Sequence, residues 1–411
     1  MKRLYKQIAL KLYKSEEMKK VFIQRGKEKS LQRFHPWVFS GAIARKDGNI
    51  AEGEVVEVCD AVGNFMAMGH YHTSSISVRI FSFEQVEPDY QFWKNKIEKA
   101  VDYRKSIYLF ENQNTTLFRL INGEGDGMPG LIADWYNGHL VLQFHSYGMY
   151  LMRELLTDIF KEVLAGRLKS IYNKSATTLS ETNAFVPSNE LLFGELEDEI
   201  LVKENGVPFY IDIPQGQKTG FFIDQRDNRK MVGEFCCDKK VLNLFCYTGG
   251  FSAYALQGGA SLVHSVDISK RAIEQTNANM ALLGDLAQKH EAFAANVFDF
   301  IEEMPAHFYD VIIVDPPAFA KHHKVKEQGI KGYRNINRKA LEKVKPGGMV
   351  FTFSCSQAIS KEDFQTIIFS AAAMEHKNIR IVKHLQHALD HPVNIFHPEG
   401  SYLKGMALCV E

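Results

Sequence analysis

The chain predicts an α/β protein with a small N-terminal β-barrel, a central mixed α/β domain and a C-terminal doubly wound, Rossmann-like domain. Three observations predict it. From Lys240 onward, short runs of β-formers begin near 241, 262, 291, 310 and 348, with helical spacing between them. That alternation belongs to a parallel sheet wrapped by helices. Over residues 21–90, runs at 21–24, 37–39, 54–60, 65–72 and 76–83 are broken by turn signals such as Asp47-Gly48 and Val62-Gly63-Asn64, the spacing of a small barrel. Between the two regions, Asn137-Gly138 and Asn205-Gly206 each stand between β-forming runs, a strong hairpin signal.

The four parts follow in order. Residues 1–18 are a lysine-rich arm with a sparse apolar set, and 19–90 hold the barrel. Residues 91–213 form the central domain. It opens with a helix over 91–110 whose inward positions are Phe92, Ile97, Ala100, Val101, Tyr108 and Leu109. A strand at 118–121, a glycine-rich loop at 123–130, the two hairpins and a helix over 149–164 follow. Residues 214–411 form the doubly wound domain, closed by an antiparallel pair at 394–396 and 403–410.

Composition narrows the class. At 411 residues and 45% hydrophobic, the chain has no apolar run approaching a membrane span. Six unevenly placed cysteines form no disulfide framework, so a reducing cytoplasm is the expected compartment. The fifteen histidines show no metal-ligand spacing, and no metal is expected. Formal charge is zero, but residues 1–46 hold thirteen Lys or Arg against three Glu, and residues 320–345 nine against two. Either run alone is ordinarily a solvated face; together they suggest a footprint for a polyanion.

The candidate ligand site begins at Val241-Leu-Asn-Leu-Phe245-Cys-Tyr247-Thr248-Gly249-Gly250. A buried strand runs into a small-residue turn and then a helix starting at Phe251. Glycine there lets a ligand approach the backbone. The next strand ends in Asp267, followed by Ile268. An acidic residue at that spacing is placed to bind a ribose diol. There is no Gly-x-Gly-x-x-Gly and so no pyrophosphate cradle. A nucleoside ligand without phosphates fits better than a dinucleotide, with S-adenosylmethionine the leading candidate.

Asp310-Val-Ile-Ile-Val-Asp315-Pro316-Pro317-Ala-Phe319 is the most specific local signal. A buried strand delivers Asp315 to the ligand end of the sheet, and two prolines stiffen the exit. Asp315 can then hydrogen-bond a flat base while Phe319 stacks on it. The next strand ends at Ser354-Cys355-Ser356, and a thiolate there is a candidate nucleophile. Lys321, His322 and His323 are placed to lower its pKa if they fold over it. Asn296 and Val297, ending the third strand, suit an adenine edge and face. Gly216 to Arg229 is too polar and glycine-rich for core and reads as a lid.

These residues resemble a family: bacterial class I S-adenosylmethionine-dependent ribosomal RNA methyltransferases with an N-terminal PUA domain. Within it the chain is most similar to the large-subunit (23S) rRNA cytosine carbon-5 methyltransferases. The resemblance runs from about residue 19 to the end. It is carried by Arg33-Phe-His-Pro-Trp37, by Arg119-Leu-Ile-Asn-Gly123-Glu-Gly-Asp-Gly-Met-Pro-Gly130, by Gly216 to Arg229, and by the turn, Asp267, Asp315-Pro-Pro and Ser354-Cys-Ser. It implies cofactor contacts from Phe245, Tyr247, Thr248, Gly249, Gly250, Phe251, Asp267, Ile268, Asn296 and Val297, with Gln225 and Arg226 above. It implies Cys355 as nucleophile and Asp315 as the group steadying the base. Pro316, Pro317, Phe319, Lys321 and Arg334 would meet the RNA. The family more often has Asp where Asn296 stands. No second cysteine follows Pro317, unlike other RNA cytosine methyltransferases. The partner implied is rRNA, and a homodimer stays open. Two rivals also stay open: a methyltransferase acting on a purine or exocyclic nitrogen, which needs no cysteine, and a non-catalytic RNA-binding protein.

Overall fold

The computed structural model describes residues 18–181, 185–197, 199–320 and 322–411. Apart from Met18, the expected basic arm lies outside the described residues, as does Lys321. The N-terminal strands are β1 (Lys20–Ile23), β2 (Trp37–Phe39), β3 (Ile43–Lys46), β4 (Val55–Cys59), β5 (Phe65–Tyr71) and β6 (Ile76–Ser82). They form one sheet in the order β2-β6-β5-β4-β1-β3. Alternate residues of β1, β4 and β6, among them Val21, Ile23, Val56, Val58, Val78 and Ile80, turn to one core, as a period of two requires.

Helix α1 (Lys29–Gln32) is a single turn, and α2 (Tyr90–Ser106) opens the central region. The Asp89 carboxylate caps α2 by accepting the Phe92 N–H at 2.8 Å. The face of α2 bearing Trp93, Ile97, Ala100 and Val101 is buried, whereas Tyr108, expected inside, lies beyond the helix and is exposed. The central sheet comprises β7 (Leu117–Asn122), β8 (Leu131–Tyr136), β9 (His139–Phe144), β10 (Ser170–Lys174) and β11 (Asn189–Gly194). Its order is β11-β10-β9-β8-β7. The helix expected over 149–164 is two, α3 (Tyr147–Leu151) and α4 (Arg153–Val163), divided at Met152. The hairpin β12 (Ile200–Glu204) and β13 (Val207–Ile211) forms as Asn205-Gly206 dictates, with Asn205 at φ 50°. Its Val202, Phe209 and Ile211 pack into the C-terminal core.

The C-terminal sheet has seven strands: β14 (Lys240–Leu244), β15 (Leu262–Asp267), β16 (His290–Ala294), β17 (Tyr309–Val314), β18 (Val344–Ser354), β19 (Ile379–Leu385) and β20 (Lys404–Val410). Their order is β16-β15-β14-β17-β18-β20-β19, parallel except for β20. Helices α5 (Arg226–Glu234), α6 (Gly250–Gln257), α7 (Lys270–Ala281), α8 (Val297–Glu303), α9 (Lys326–Lys343) and α10 (Lys361–Met374) connect them. Val241, Val311 and Ile313 face one core; Leu242, Leu244, Ile312 and Val314 face the other. Burial on both faces explains why these strands lack polar alternation. Each such aliphatic side chain contributes about 1.5–3 kcal/mol. The expected closing pair is corrected. Residues 394–396 form no strand, and β20 instead pairs with β18 and β19. Strand β19 escaped notice because it is an exposed edge strand, Ile-Arg-Ile-Val-Lys-His-Leu.

Strand order reverses between β14 and β17, so their carboxyl ends open a crevice there. The turn after β14, Asp267 after β15, Asp315 after β17 and Cys355 after β18 all lie at that edge.

Candidate active site

A cavity of about 370 Å³ fills this crevice. Its wall includes Phe245, Tyr247, Thr248, Gly250, Phe251, Asp267, Ile268, Asn296, Val297, Asp315, Pro316, Pro317, Cys355 and Gln225. The structure thus brings together on one wall most of the residues singled out from the sequence. It also adds Gln217, Lys218, Phe221, Phe222, Asp224, Arg229, Phe298 and Leu403, which the sequence alone did not identify individually.

The turn after β14 is held in an unusual backbone. Phe245 (φ 58°), Tyr247 (φ 49°) and Gly249 (φ 79°) alternate in the left-handed region, which non-glycine residues adopt only under local constraint. The constraint is visible. The Tyr247 N–H donates to Asp267 Oδ2 at 3.0 Å, and the Ser269 N–H to Oδ1 at 2.9 Å. These bonds fix the carboxylate at the end of β15. Gly249 does not line the cavity. A Cβ there would meet Thr276 Cγ2 at 2.8 Å and Met280 Cε at 3.0 Å, so glycine serves packing against α7 as well as its φ. Val297 and Asn296 begin α8. The Asn296 oxygen expected to receive an adenine amino group already accepts the Phe298 N–H as N-cap.

Residues 216–225 cover the turn as the sequence predicts. The Tyr247 hydroxyl accepts the Gln217 N–H at 2.8 Å and donates to the Gly220 carbonyl at 3.2 Å. From beneath, Thr219 donates to Asp134 Oδ2 at 2.6 Å, and Lys174 donates to the Ile213 and Gly216 carbonyls. The central sheet therefore anchors the lid. This also explains why β10 was missed: its buried polar residues, Lys174 among them, hide the strand pattern.

At the reactive end, Gln225 Nε2 donates to Asp315 Oδ2 at 3.0 Å. Burial, reinforced by the negative charge of Asp224, pushes the Asp315 carboxyl up to about 7. Burial also raises the Cys355 thiol; Lys218 opposes the rise, and Asp315 and Asp224 add to it. Of the expected thiol-lowering cluster, His322 is exposed, while Lys321 and the His323 side chain lie outside the described residues; among the described residues Lys218 is a cation that opposes the rise. The flanking serines are structural. Ser356 Oγ accepts the Ala320 N–H at 3.1 Å and lies 2.8 Å from the Tyr333 hydroxyl, joining the Asp-Pro-Pro exit to β18 and α9. Cys246 is buried, and burial raises its thiol, although the residue also reaches the cavity wall.

Three further residues stand off the wall. Arg226 does not line the cavity; both its terminal nitrogens donate to Asp390 at 2.9 Å, and the pair is buried. Phe319 is off the wall as well, packed on Tyr333 with centroids 4.8 Å apart and against Phe245 and Phe298. Arg334 is half-buried on α9, away from the wall. The basic run over 320–345 is largely paired within the protein. Lys326 meets Asp363, Arg338 meets Glu375, Lys339 meets Glu302 and Glu342, and Lys345 meets Asp310. Lys343 bonds the Glu302 and Met304 carbonyls. In the N-terminal region Arg25, Lys27, Lys29 and Arg33 are exposed.

The wall fits an unphosphorylated nucleoside. Asp267 offers a fixed carboxylate, the Thr248 hydroxyl is buried without a partner among the described residues, and Val297 and Phe298 supply apolar surface. Among the described residues no helix is long and apolar enough to cross a membrane, and no cluster of metal-ligating side chains occurs.

Comparison with known proteins agrees. Residues 118–394 match the family model of S-adenosylmethionine-dependent methyltransferases, and residues 21–83 match a PUA-like domain. A protein of Aeromonas salmonicida named ribosomal RNA large subunit methyltransferase I is 36% identical over 393 residues, covering 94% of this chain and 98% of its own. The protein of that name from Vibrio vulnificus is equally similar, 36% over 393 residues with the same coverage. Among solved structures, SMU.776, a methyltransferase complexed with SAH, superposes with a TM-score of 0.82 at 25% identity, covering 95% of this chain and 99% of that one. A methyltransferase from Streptococcus mutans shares the fold, with a TM-score of 0.81 at 23% identity over 95% of this chain and 99% of that one.

Proposed function

Since this chain belongs to the S-adenosylmethionine-dependent methyltransferases and carries a PUA-like domain, we propose that it methylates carbon 5 of a cytosine in large-subunit ribosomal RNA, in the cytoplasm. The observation that carries this reading is the meeting of Cys355 and Asp315 on one cavity wall with Asp267 and the turn after β14. The name shared by the relatives supports rRNA as the substrate. A rival activity on a purine or exocyclic nitrogen has no use for a thiol at that wall.

When bound, S-adenosylmethionine supplies a methyl group on a sulfonium. The protein's part is to hold it and to activate the base. Tyr247, Thr248, Gly250 and Phe251 would hold the cofactor from the turn, Asp267 and Ile268 from the end of β15, and Asn296 and Val297 from the start of α8, under Gln225. Carbon 5 of cytosine is a poor nucleophile. Addition of the Cys355 thiolate to carbon 6, with a proton from Asp315 to ring nitrogen 3, makes carbon 5 nucleophilic. After methyl transfer, loss of the carbon-5 proton to a base re-forms the ring double bond and releases the thiolate, and the proton on ring nitrogen 3 returns to Asp315. The target base must be unpaired or flipped to enter.

Asp267→Ala is expected to weaken S-adenosylmethionine binding by about 1.5–3 kcal/mol, roughly 10- to 150-fold in Kd, by removing a charge-assisted hydrogen bond. Calorimetric titration measures it, and an unchanged Kd would move the ribose elsewhere. The acid–base pair predicts a pH signature. Asp315 must be protonated and Cys355 ionised, so kcat/KM should rise with pH and level off at about 7, where thiolate gained is offset by Asp315 proton lost. In Asp315→Asn, expected to be about 10²–10⁴-fold slower, the rise should continue through that range. The function itself is tested by mass mapping of rRNA from cells with and without the gene. Loss of one 5-methylcytosine from large-subunit rRNA is expected. Loss of a methylated purine would overturn the carbon-5 reading.

A further inference from the structure

Asp224 is built into the reactive end of the cavity, and nothing described so far uses it. It sits in the turn Ile223–Gln225, between the lid and α5. The turn is pinned: the Asp224 carbonyl accepts the Ala388 N–H at 3.1 Å, and the next residue, Gln225, donates to Asp315 at 3.0 Å. The residue is 5% exposed. Its Oδ2 accepts the Tyr402 hydroxyl at 2.7 Å and lies 3.6 Å from Lys218 Nζ. Its Oδ1 is buried with no partner among the described residues, on a residue of the cavity wall.

A carboxylate kept only for structure would have both oxygens satisfied, because an orphaned buried acceptor costs about 1–3 kcal/mol. The free oxygen therefore awaits a donor from the cavity. The ionisation state fits that role. Burial works against the charge, but Lys218, His391 and the Tyr402 hydroxyl hold the carboxyl well below its usual range. Asp224 is then an acceptor and never a donor at working pH. Its neighbour Asp315 is pushed the opposite way and can donate. One wall thus presents a donor and an acceptor.

Cytosine offers the complement. Its ring nitrogen 3 accepts, and the adjacent 4-amino group donates. Uracil offers the reverse, an N3–H donor beside an O4 acceptor, which would face the Asp224 charge with a lone pair. We propose that the free Oδ1 of Asp224 receives the 4-amino group of the target base, making Asp224 the residue that selects cytosine over uracil. This assignment rests on the proposed carbon-5 activity and adds the base it discriminates against. Leaving a buried polar group unpaired or opposed is how a site rejects a close analogue.

The test uses the full-length protein, S-adenosylmethionine, and rRNA fragments carrying cytidine or uridine at the nucleotide located by mapping. The wild-type enzyme is expected to methylate cytidine and to reject uridine. Asp224→Asn places an amide where only an acceptor stood. It is expected to lower kcat/KM on cytidine and to shrink the cytidine-over-uridine ratio by roughly ten- to one-hundredfold, with S-adenosylmethionine affinity unchanged. A purely structural role would lower both substrates alike. An unchanged ratio in a folded variant that binds cofactor therefore overturns the proposal. If Asp224→Asn fails to fold, Tyr402→Phe removes the hydroxyl that orients the same carboxylate. It is expected to shrink the ratio severalfold, and an unchanged ratio there also overturns the proposal. Failure of the underlying activity looks different, because the wild-type enzyme would then leave cytidine unmethylated.

Discussion

Cys355→Ala is expected to abolish methylation, by on the order of 10⁴-fold or more, while leaving cofactor and RNA binding near wild type. Cys355 stands where β18 ends, on the wall it shares with Asp315. Its backbone is held by its neighbours: Ser356 bonds Ala320 and Tyr333, and the Lys404 ammonium donates to the Ser356 carbonyl at 2.7 Å. Removing one sulfur from a partly buried wall position leaves these bonds intact, so the loss falls on chemistry. Without a thiolate adding at carbon 6, carbon 5 has no route to nucleophilic character. A fragment carrying 5-fluorocytosine at the target should trap the wild-type enzyme covalently, because fluorine cannot leave as a proton does. It should not trap the alanine variant. Denaturing gel electrophoresis with labelled RNA reads the adduct. Retained turnover in Cys355→Ala would return Cys355 to the core and reopen activity on a purine or an exocyclic nitrogen.

What the sequence revealed and what it hid divide along a physical line. In a parallel sheet every strand delivers its last residue to one edge. Asp267, Asp315 and Cys355 could therefore be gathered from their positions at the ends of apolar runs, though they are far apart in the chain. Hairpins at Asn137-Gly138 and Asn205-Gly206 were legible because the turn requires positive φ, which those residues supply. Pairings between distant side chains were not. Arg226 reads like a ligand-facing cation until Asp390 appears 164 positions later as its partner. The basic run over 320–345 reads like an RNA footprint until carboxylates are seen beside Lys326, Arg338, Lys339 and Lys345. The left-handed Phe245 and Tyr247 had no signal, because neither residue type favours that backbone; the hydrogen bond from Tyr247 to Asp267 helps hold it. Asp224 was passed over as one polar residue in a polar lid, and its importance lies in an oxygen left unpaired.

Asp390→Ala is expected to be the most destabilising single change near the site, by about 3–5 kcal/mol, or a drop in thermal midpoint of roughly 5–10 °C. Asp390 is fully buried. Its carboxylate accepts two bonds from Arg226 at 2.9 Å and the Arg119 N–H at 2.9 Å, and lies 3.0 Å from His391 Nδ1. One residue thus ties the start of α5, strand β7 and the 386–392 segment together behind the lid. Removing it leaves the Arg226 guanidinium buried without its counter-charge, which is where the cost arises. The pH dependence has a definite sign. Against the penalty of burial, Arg226 and His391 hold the Asp390 carboxyl far below its ordinary value. Its contribution is therefore fully present above about pH 4, the unfolded value, and is lost as pH falls further. Scanning calorimetry at several pH values should show the gap between wild type and variant widest at neutral pH and narrowing in acid. The double variant Arg226→Met, Asp390→Leu should recover part of the loss, because it removes both charges and restores packing. An Asp390→Ala variant that melts with the wild type would mean that the pair does not hold the lid, and that Asp224 and Gln225 are positioned by their own bonds to Ala388, Tyr402 and Asp315.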